Sequence, residues 1–282
     1  MVSRSVTSTL NVRIGSNDNL ADHIQGGGYT VAADPAHLTF ASVMVENAKA
    51  AGKDLGILFL AYTLAPHACY PRQLQQGVEM LRYTLHDLGR SPNNIMIGGD
   101  SAGQSYEPHT HQLLSQTTPR VIMGKLTTSS GGNLALSIIS HILHPHPKCP
   151  PLPLSAPLRG AILLAPWVSF RTDWPSVKAN AQKDIIQPSL GDRWSANFLG
   201  TSSKDEYNEP GERTDEQWWA GLQDAVAEIF IVGGQDEILV DSIREMEKKL
   251  KVSVIQTYNL RYLVVVAFSV KLGALSRSNC LP

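Results

Sequence analysis

Asn94-Ile-Met-Ile-Gly-Gly-Asp-Ser-Ala-Gly103 runs from a short apolar stretch straight into a serine bracketed by glycines. Asn94 to Gly98 has the length and composition of a buried strand. Gly99-Asp-Ser-Ala-Gly103 fits G-x-S-x-G, the pattern in which a sharp strand-to-helix turn lifts a serine oxygen to the end of a sheet. Small residues around Ser101 permit that turn, and a helix N-terminus behind it favours negative charge. Here the helix is delayed. A polar stretch from Gln104 to Ser130 intervenes before Gly131-Gly-Asn-Leu-Ala-Leu136 opens a helical pattern. Without that stretch and one glycine, the text would read Gly-Asp-Ser-Ala-Gly-Gly-Asn-Leu-Ala-Leu.

Outward from this point, apolar periodicity places the other elements. Leu38, Phe40, Val43, Val45 and Ala48 give helical spacing over His37 to Ala51. Leu55 to Tyr62 and Gly160 to Leu164 are apolar runs bounded by turn residues, and so are predicted strands. Leu74 to Leu88 and Asn133 to Leu143 predict helices, Ala227 to Val232 a strand, and Ile238 to Leu250 a charged helix. Strands alternating with helices predict an α/β fold, with a mostly parallel sheet covered by helices on both faces. His144 to Leu158 reads as a Pro-rich loop, and 169–224 as irregular chain with short helices. Residues 1–25 are polar without a clear period, which predicts loop or disorder. One domain is expected, over 26–251, with an atypical insertion at 104–130 and an atypical tail at 252–282.

A chain of 282 residues can bury a sizeable core. Its net charge of -1 gives no electrostatic case for nucleic acid or an anionic membrane. Cys69, Cys149 and Cys280 are scattered, without C-x-x-C spacing or a disulfide framework. That favours a reducing compartment and a cytoplasmic location. No signal core and no membrane span is visible.

Two further motifs carry chemistry. Gly26-Gly-Gly28 precedes the first helix, where glycines let backbone N–H groups approach a developing oxyanion. Alone, it is only a Gly-rich turn; its order relative to Ser101 makes it informative. Gly233-Gly-Gln-Asp236 follows a predicted strand, so Asp236 sits at a carboxyl end, where a carboxylate could orient a histidine. The same Asp reads equally as a cap for the helix beginning near Ile238. Asp241 is a second candidate on that segment.

Together these residues resemble the α/β-hydrolase fold-3 group, the hormone-sensitive-lipase-like esterases, and look most like fungal members. The matching text is Gly26-Gly-Gly-Tyr29, Tyr62-Thr-Leu-Ala-Pro66, Gly99-Asp-Ser-Ala-Gly103, Ala165-Pro-Trp167 and Gly233-Gly-Gln-Asp236, in the family's order. The resemblance implies an α/β-hydrolase fold and a carboxylesterase-type serine hydrolase acting on small-molecule esters, without metal or organic cofactor. It implies Ser101 as nucleophile, Asp236 as triad acid, and the N–H groups of Gly27, Gly28 and Ala102 as oxyanion hole. Tyr29 and Trp167 would line the substrate pocket, and the Trp-rich stretch from Phe170 to Trp219 its mouth.

Three departures stand against full activity. Gln25 occupies the place of the histidine the family writes before its glycines. The polar insertion follows Gly103. All nine histidines lie at or before His146, so none follows Asp236, where the family's order Ser, Asp, His requires one. His67 lies near the mouth-side loop and His109 and His111 lie in the insertion, each with the character of a solvated surface residue. His141, His144 and His146 fall at the far end of the elbow helix, a weak metal pattern. A genomic reading accounts for all three departures: translated intron sequence. Lys251-Val-Ser253 can be encoded AAG-GTA-AGT, which contains a donor-like string.

Overall fold

The computed structural model describes residues 10–15, 20–24, 27–32, 35–99, 130–255 and 263–267. Its strands are β1 (Leu10–Gly15), β2 (Leu20–Ile24), β3 (Gly56–Ala61), β4 (Ile95–Gly99), β5 (Gly160–Leu164), β6 (Ile229–Gly234) and β7 (Leu263–Ala267). They form one sheet in the order β1-β3-β2-β4-β5-β6-β7. β2 to β7 run parallel, and β1 alone pairs antiparallel, with β3. The long helices are α1 (Pro35–Ala50), α2 (Arg72–Arg82), α3 (Ser130–Leu143) and α8 (Val240–Ile255). Between β5 and β6 lie the short α4 (Pro175–Asn180), α6 (Pro210–Arg213) and α7 (Leu222–Ala225), with the longer α5 (Pro188–Leu199). Proline opens α4, α5 and α6, where its fixed φ suits a first turn and its missing N–H costs nothing.

The two faces of the sheet are covered by different helices. Val78 of α2, Leu134 of α3 and Met246 of α8 share the main core with Ile95, Ile97, Leu163 and Ile231. Ala41 of α1 packs on Ile57 and Phe59 from the other side. β3 is therefore buried on both faces, which is why Gly56-Ile-Leu-Phe-Leu-Ala61 reads as an uninterrupted apolar run.

One expectation is corrected. Residues 1–25 are not without regular structure, since β1 and β2 lie within them. Leu10, Val12 and Ile14 alternate with Asn11 and Arg13, a period-two strand signal. β2 carries no such alternation. It is a strand because it hydrogen-bonds to β3 on one side and β4 on the other. The C-terminal stretch also contributes: α8 continues to Ile255, and β7 pairs with β6 from Phe230↔Leu263 to Gly234↔Ala267. Since the strands are parallel, β2, β4, β5 and β6 all end at one edge, where ligands of open α/β sheets bind.

Candidate active site

The end of β4 and the start of α3 meet on glycines that leave no room for a side chain. A Cβ on Gly99 would overlap the carbonyl of Gly131 in the first turn of α3, and one on Gly132 would come 2.9 Å from Pro166 Cβ. The strand end and the helix start thus touch, although thirty residues separate them in sequence. Gly131, from beyond the insertion, is the glycine that packs on Gly99. Ser101 and Ala102, the expected nucleophile and oxyanion donor, lie outside the described residues, as do Gln25, Gly26 and Gly103.

The glycine loop sits beside that helix start. Gly27 (φ +131), Gly28 (φ +54) and Tyr29 (φ +61) turn in the left-handed region, and the Gly27 carbonyl accepts the N–H groups of Thr30 and Val31 at 2.8 Å. The N–H groups of Gly27 and Gly28 donate to no atom of the described residues. A Cβ on Gly28 would collide with the Trp194 ring, so the backbone itself is held against α5. Tyr29 is wholly buried and stacks on Phe198 at 3.8 Å. Burial pushes its phenol well above the ordinary tyrosine range, and neighbouring Tyr62 adds to the shift. Its carbonyl accepts the Ala65 N–H, joining this loop to the Tyr62–Pro66 motif.

Asn133 ties the edge together. Its amide oxygen accepts the Tyr29 hydroxyl at 2.6 Å, while Nδ2 donates to the carbonyls of Trp167 (2.7 Å) and Asn208 (3.0 Å). One buried side chain therefore joins the glycine loop, the elbow helix, the turn after β5 and the segment before α6. Trp167 is 4% exposed and meets Phe170 edge-on, so it is part of the wall here. The Ser130 hydroxyl, also buried, lies 3.3 Å from that of Tyr62.

Asp236 stands just past the end of β6, half exposed, with its carboxylate 3.2 Å from Lys183 Nζ. The loop that carries it is clasped from α4's end. Asn180 Nδ2 donates to the carbonyls of Gln235 (3.0 Å) and Glu237 (2.9 Å), and Asp184 accepts the Ile238 N–H at 2.6 Å. Beside it, burial pushes the Glu237 carboxyl up to about 7; a hydrogen bond from the Gly234 N–H opposes this, and nearby Asp184 adds to it. Glu237 Oε2 is buried without a hydrogen bond. Asp241 is engaged elsewhere: it accepts the Ser176 N–H at 2.8 Å in the first turn of α4 and pairs with Arg244.

Comparison with known proteins bears on this arrangement. A profile described as "alpha/beta hydrolase fold" matches residues 23–127, from the glycine loop through Gly99-Asp-Ser-Ala-Gly103 into the insertion. An esterase/lipase from an uncultured bacterium superposes with a TM-score of 0.63 at 19% identity, over 94% of this chain and 76% of that one. The fold is the α/β-hydrolase fold. An esterase of the bacterial hormone-sensitive lipase family gives 0.63 at 20% identity, over 92% and 74% of the two chains. A hormone-sensitive lipase from a metagenome library gives 0.66 at 18%, over 91% and 70%. No curated protein matches the sequence.

Within this α/β-hydrolase fold, the histidines near the end of α3 are structural. His141 Nε2 meets the Pro150 carbonyl at 3.1 Å and its Nδ1 accepts the His146 N–H, while His144 Nε2 meets the Trp218 carbonyl at 2.7 Å. Burial pushes His141 and His146 below the ordinary histidine range. At about 1.5 Å per residue, α3 carries His141 roughly 16 Å from its own start. Among the described residues, no helix is long and apolar enough to cross a membrane. Asn133, Asp184 and Glu237 were missed by sequence reasoning. Asn133 had a signal, as a lone amide in an otherwise apolar helix start; Asp184 and Glu237 had none.

Proposed function

We propose that this chain is a serine carboxylic-ester hydrolase of small acyl esters, acetyl esters among them, with Ser101 as its nucleophile. The observation that supports the reading most is the Gly99–Gly131 contact. It brings the end of β4 against the start of α3, in keeping with a G-x-S-x-G junction, beside a glycine loop with two N–H groups pointing at no described acceptor. Ser101 would attack the ester carbonyl carbon, and the oxyanion would rest on the N–H groups of Gly27, Gly28 and Ala102. The alcohol would leave with a proton, and water would release the acid from the acyl-enzyme. Asp236 is the acid in this scheme, with Tyr29 and Trp167 bounding the pocket. The fungal cast of the motifs points to acetylated metabolites, and the scattered cysteines to the cytoplasm.

The proton from Ser101 needs a base, and no histidine follows Asp236. In subtilisin, removing the triad base costs about 10⁶ in kcat, so turnover on that reduced scale is expected. The test is p-nitrophenyl butyrate hydrolysis together with fluorophosphonate labelling. Slow hydrolysis and labelling that both vanish in Ser101→Ala support the reading; rates unchanged in Ser101→Ala overturn it.

The missing histidine favours a second reading, a non-catalytic relative that binds a small apolar ligand or a partner. Its signature is saturable quenching of tryptophan fluorescence by p-nitrophenyl butyrate with no labelling of Ser101.

A further inference from the structure

α5 meets the glycine loop with two side chains one turn apart. Trp194 and Phe198 stand at i and i+4, and so share one face of the helix. Phe198 stacks on Tyr29, with ring planes 7° from parallel. Trp194 lies on the residue before: a Cβ on Gly28 would overlap its Cε3 and stand 2.6 Å from its Cδ2. Two consecutive residues of the loop are thus gripped by a single helical turn.

The loop residues are held in different ways. Gly27 is fixed by hydrogen bonds, because its carbonyl accepts the N–H groups of Thr30 and Val31. Tyr29 is fixed at both ends, its carbonyl accepting the Ala65 N–H at 2.8 Å and its hydroxyl donating to Asn133. Between them, Gly28 has no hydrogen bond from its N–H or to its carbonyl among the described residues. Glycine loses more conformational freedom on ordering than any other residue, and at φ +54 Gly28 has no side chain of its own to anchor it. The restraint left to it is the Trp194 ring. α5 can supply that restraint because its far end is pinned. The Phe198 carbonyl accepts the Tyr70 N–H at 2.8 Å, and the Asn197 carbonyl accepts the Cys69 thiol at 3.4 Å.

We propose that Trp194 is a positioning residue for the oxyanion loop, its ring holding the Gly28 peptide so that the N–H groups of Gly27 and Gly28 keep one direction. The catalytic consequence rests on the esterase reading above; the hold itself rests on the contact between Trp194 and Gly28. Donors stabilise the oxyanion of a tetrahedral intermediate when they are aimed at it beforehand. A loop that wanders therefore lowers kcat and leaves ground-state binding nearly unchanged. In a serine hydrolase without its triad base, the residual acceleration comes from the oxyanion hole and binding. The slow turnover expected of this chain therefore reports on the loop directly.

The experiment compares Trp194→Ala and Trp194→Phe with the unaltered full chain, by amide-resolved hydrogen exchange and by Ser101-dependent hydrolysis of p-nitrophenyl butyrate. In Trp194→Ala, the N–H groups of Thr30, Val31 and Ala65, which close the bonds to Gly27 and Tyr29, should exchange at least ~10-fold faster while α2 and α3 keep their protection. Its kcat should fall at least ~10-fold with KM within about 2-fold, short of the ~10²–10³ that follows outright loss of one oxyanion donor. Trp194→Phe keeps an aromatic ring toward Gly28 and should recover most of both. Unchanged exchange at Thr30, Val31 and Ala65, a change in KM alone, or exchange that rises equally across α2 and α3 would overturn the proposal. If the unaltered chain shows no Ser101-dependent turnover, the esterase reading fails on its own, and the exchange comparison still decides whether Trp194 holds the loop.

Discussion

Glu237 lies next to the proposed acid and cannot be charged cheaply. Its carboxyl titrates near 7 in the fold, because burial and Asp184 both oppose ionisation. An acid whose folded pKa is raised loses stability as pH climbs from its ordinary value of 4.5 to about 7, and no more beyond. The shift caps the loss at about 3 kcal/mol, and solvent near the loop reduces it to roughly 1–3 kcal/mol. Glu237→Gln should therefore flatten the fall in stability between pH 5 and pH 8, as read by urea unfolding at each pH. An unchanged pH profile would show that Glu237 ionises freely. Asn133 is a second residue whose effect depends on burial. Asn133→Ala would leave the Tyr29 hydroxyl and the carbonyls of Trp167 and Asn208 without this partner inside the protein. A loss of about 2–4 kcal/mol is expected, against about 1 kcal/mol for Tyr29→Phe, which removes one hydrogen bond. Similar losses for the two would mean that Asn133 does not hold the four segments together.

At the scale of elements, the decisive contact is between β4 and α3. Their junction was legible as a pattern, since glycines flank Ser101 and reappear at Gly131 and Gly132. Which glycine packs on Gly99 was not legible, because that is a matter of approach in space. Gly99→Ala should cost about 3 kcal/mol, since its Cβ would meet backbone that cannot swing aside. Gly52→Ala is the control. There φ is +69 but no atom lies within 4 Å of the new carbon, so about 1 kcal/mol is expected. Denaturant midpoints of the two variants would settle the comparison. β1 shows the opposite case, an element whose signal was present in the sequence: Leu10, Val12 and Ile14 already alternate. β2 carried none, because its strand state comes from partners on both sides.

Taken as a whole molecule, the chain joins an α/β-hydrolase fold to a sequence with no histidine after Asp236. Esterase turnover, if Ser101 performs it, should fall about 10⁶ below that of a complete triad. A p-nitrophenyl butyrate rate within tenfold of ordinary esterases would require a base that the sequence reading did not identify. Sequencing the native transcript across Gly103–Gly132 and beyond Lys251 tests the intron reading directly, and retention of both stretches would end it. The sequence by itself determined the α/β class, most of the helices and strands, and the chemistry-bearing residue types, because periodicity and glycine spacing are local properties. Only the tertiary structure decided the strand order, the Gly99–Gly131 contact, the Asn133 junction and the spending of Asp241 on α4. Each of these depends on which distant segments are neighbours, and burial and hydrogen-bond partners exist only once those neighbours are in place.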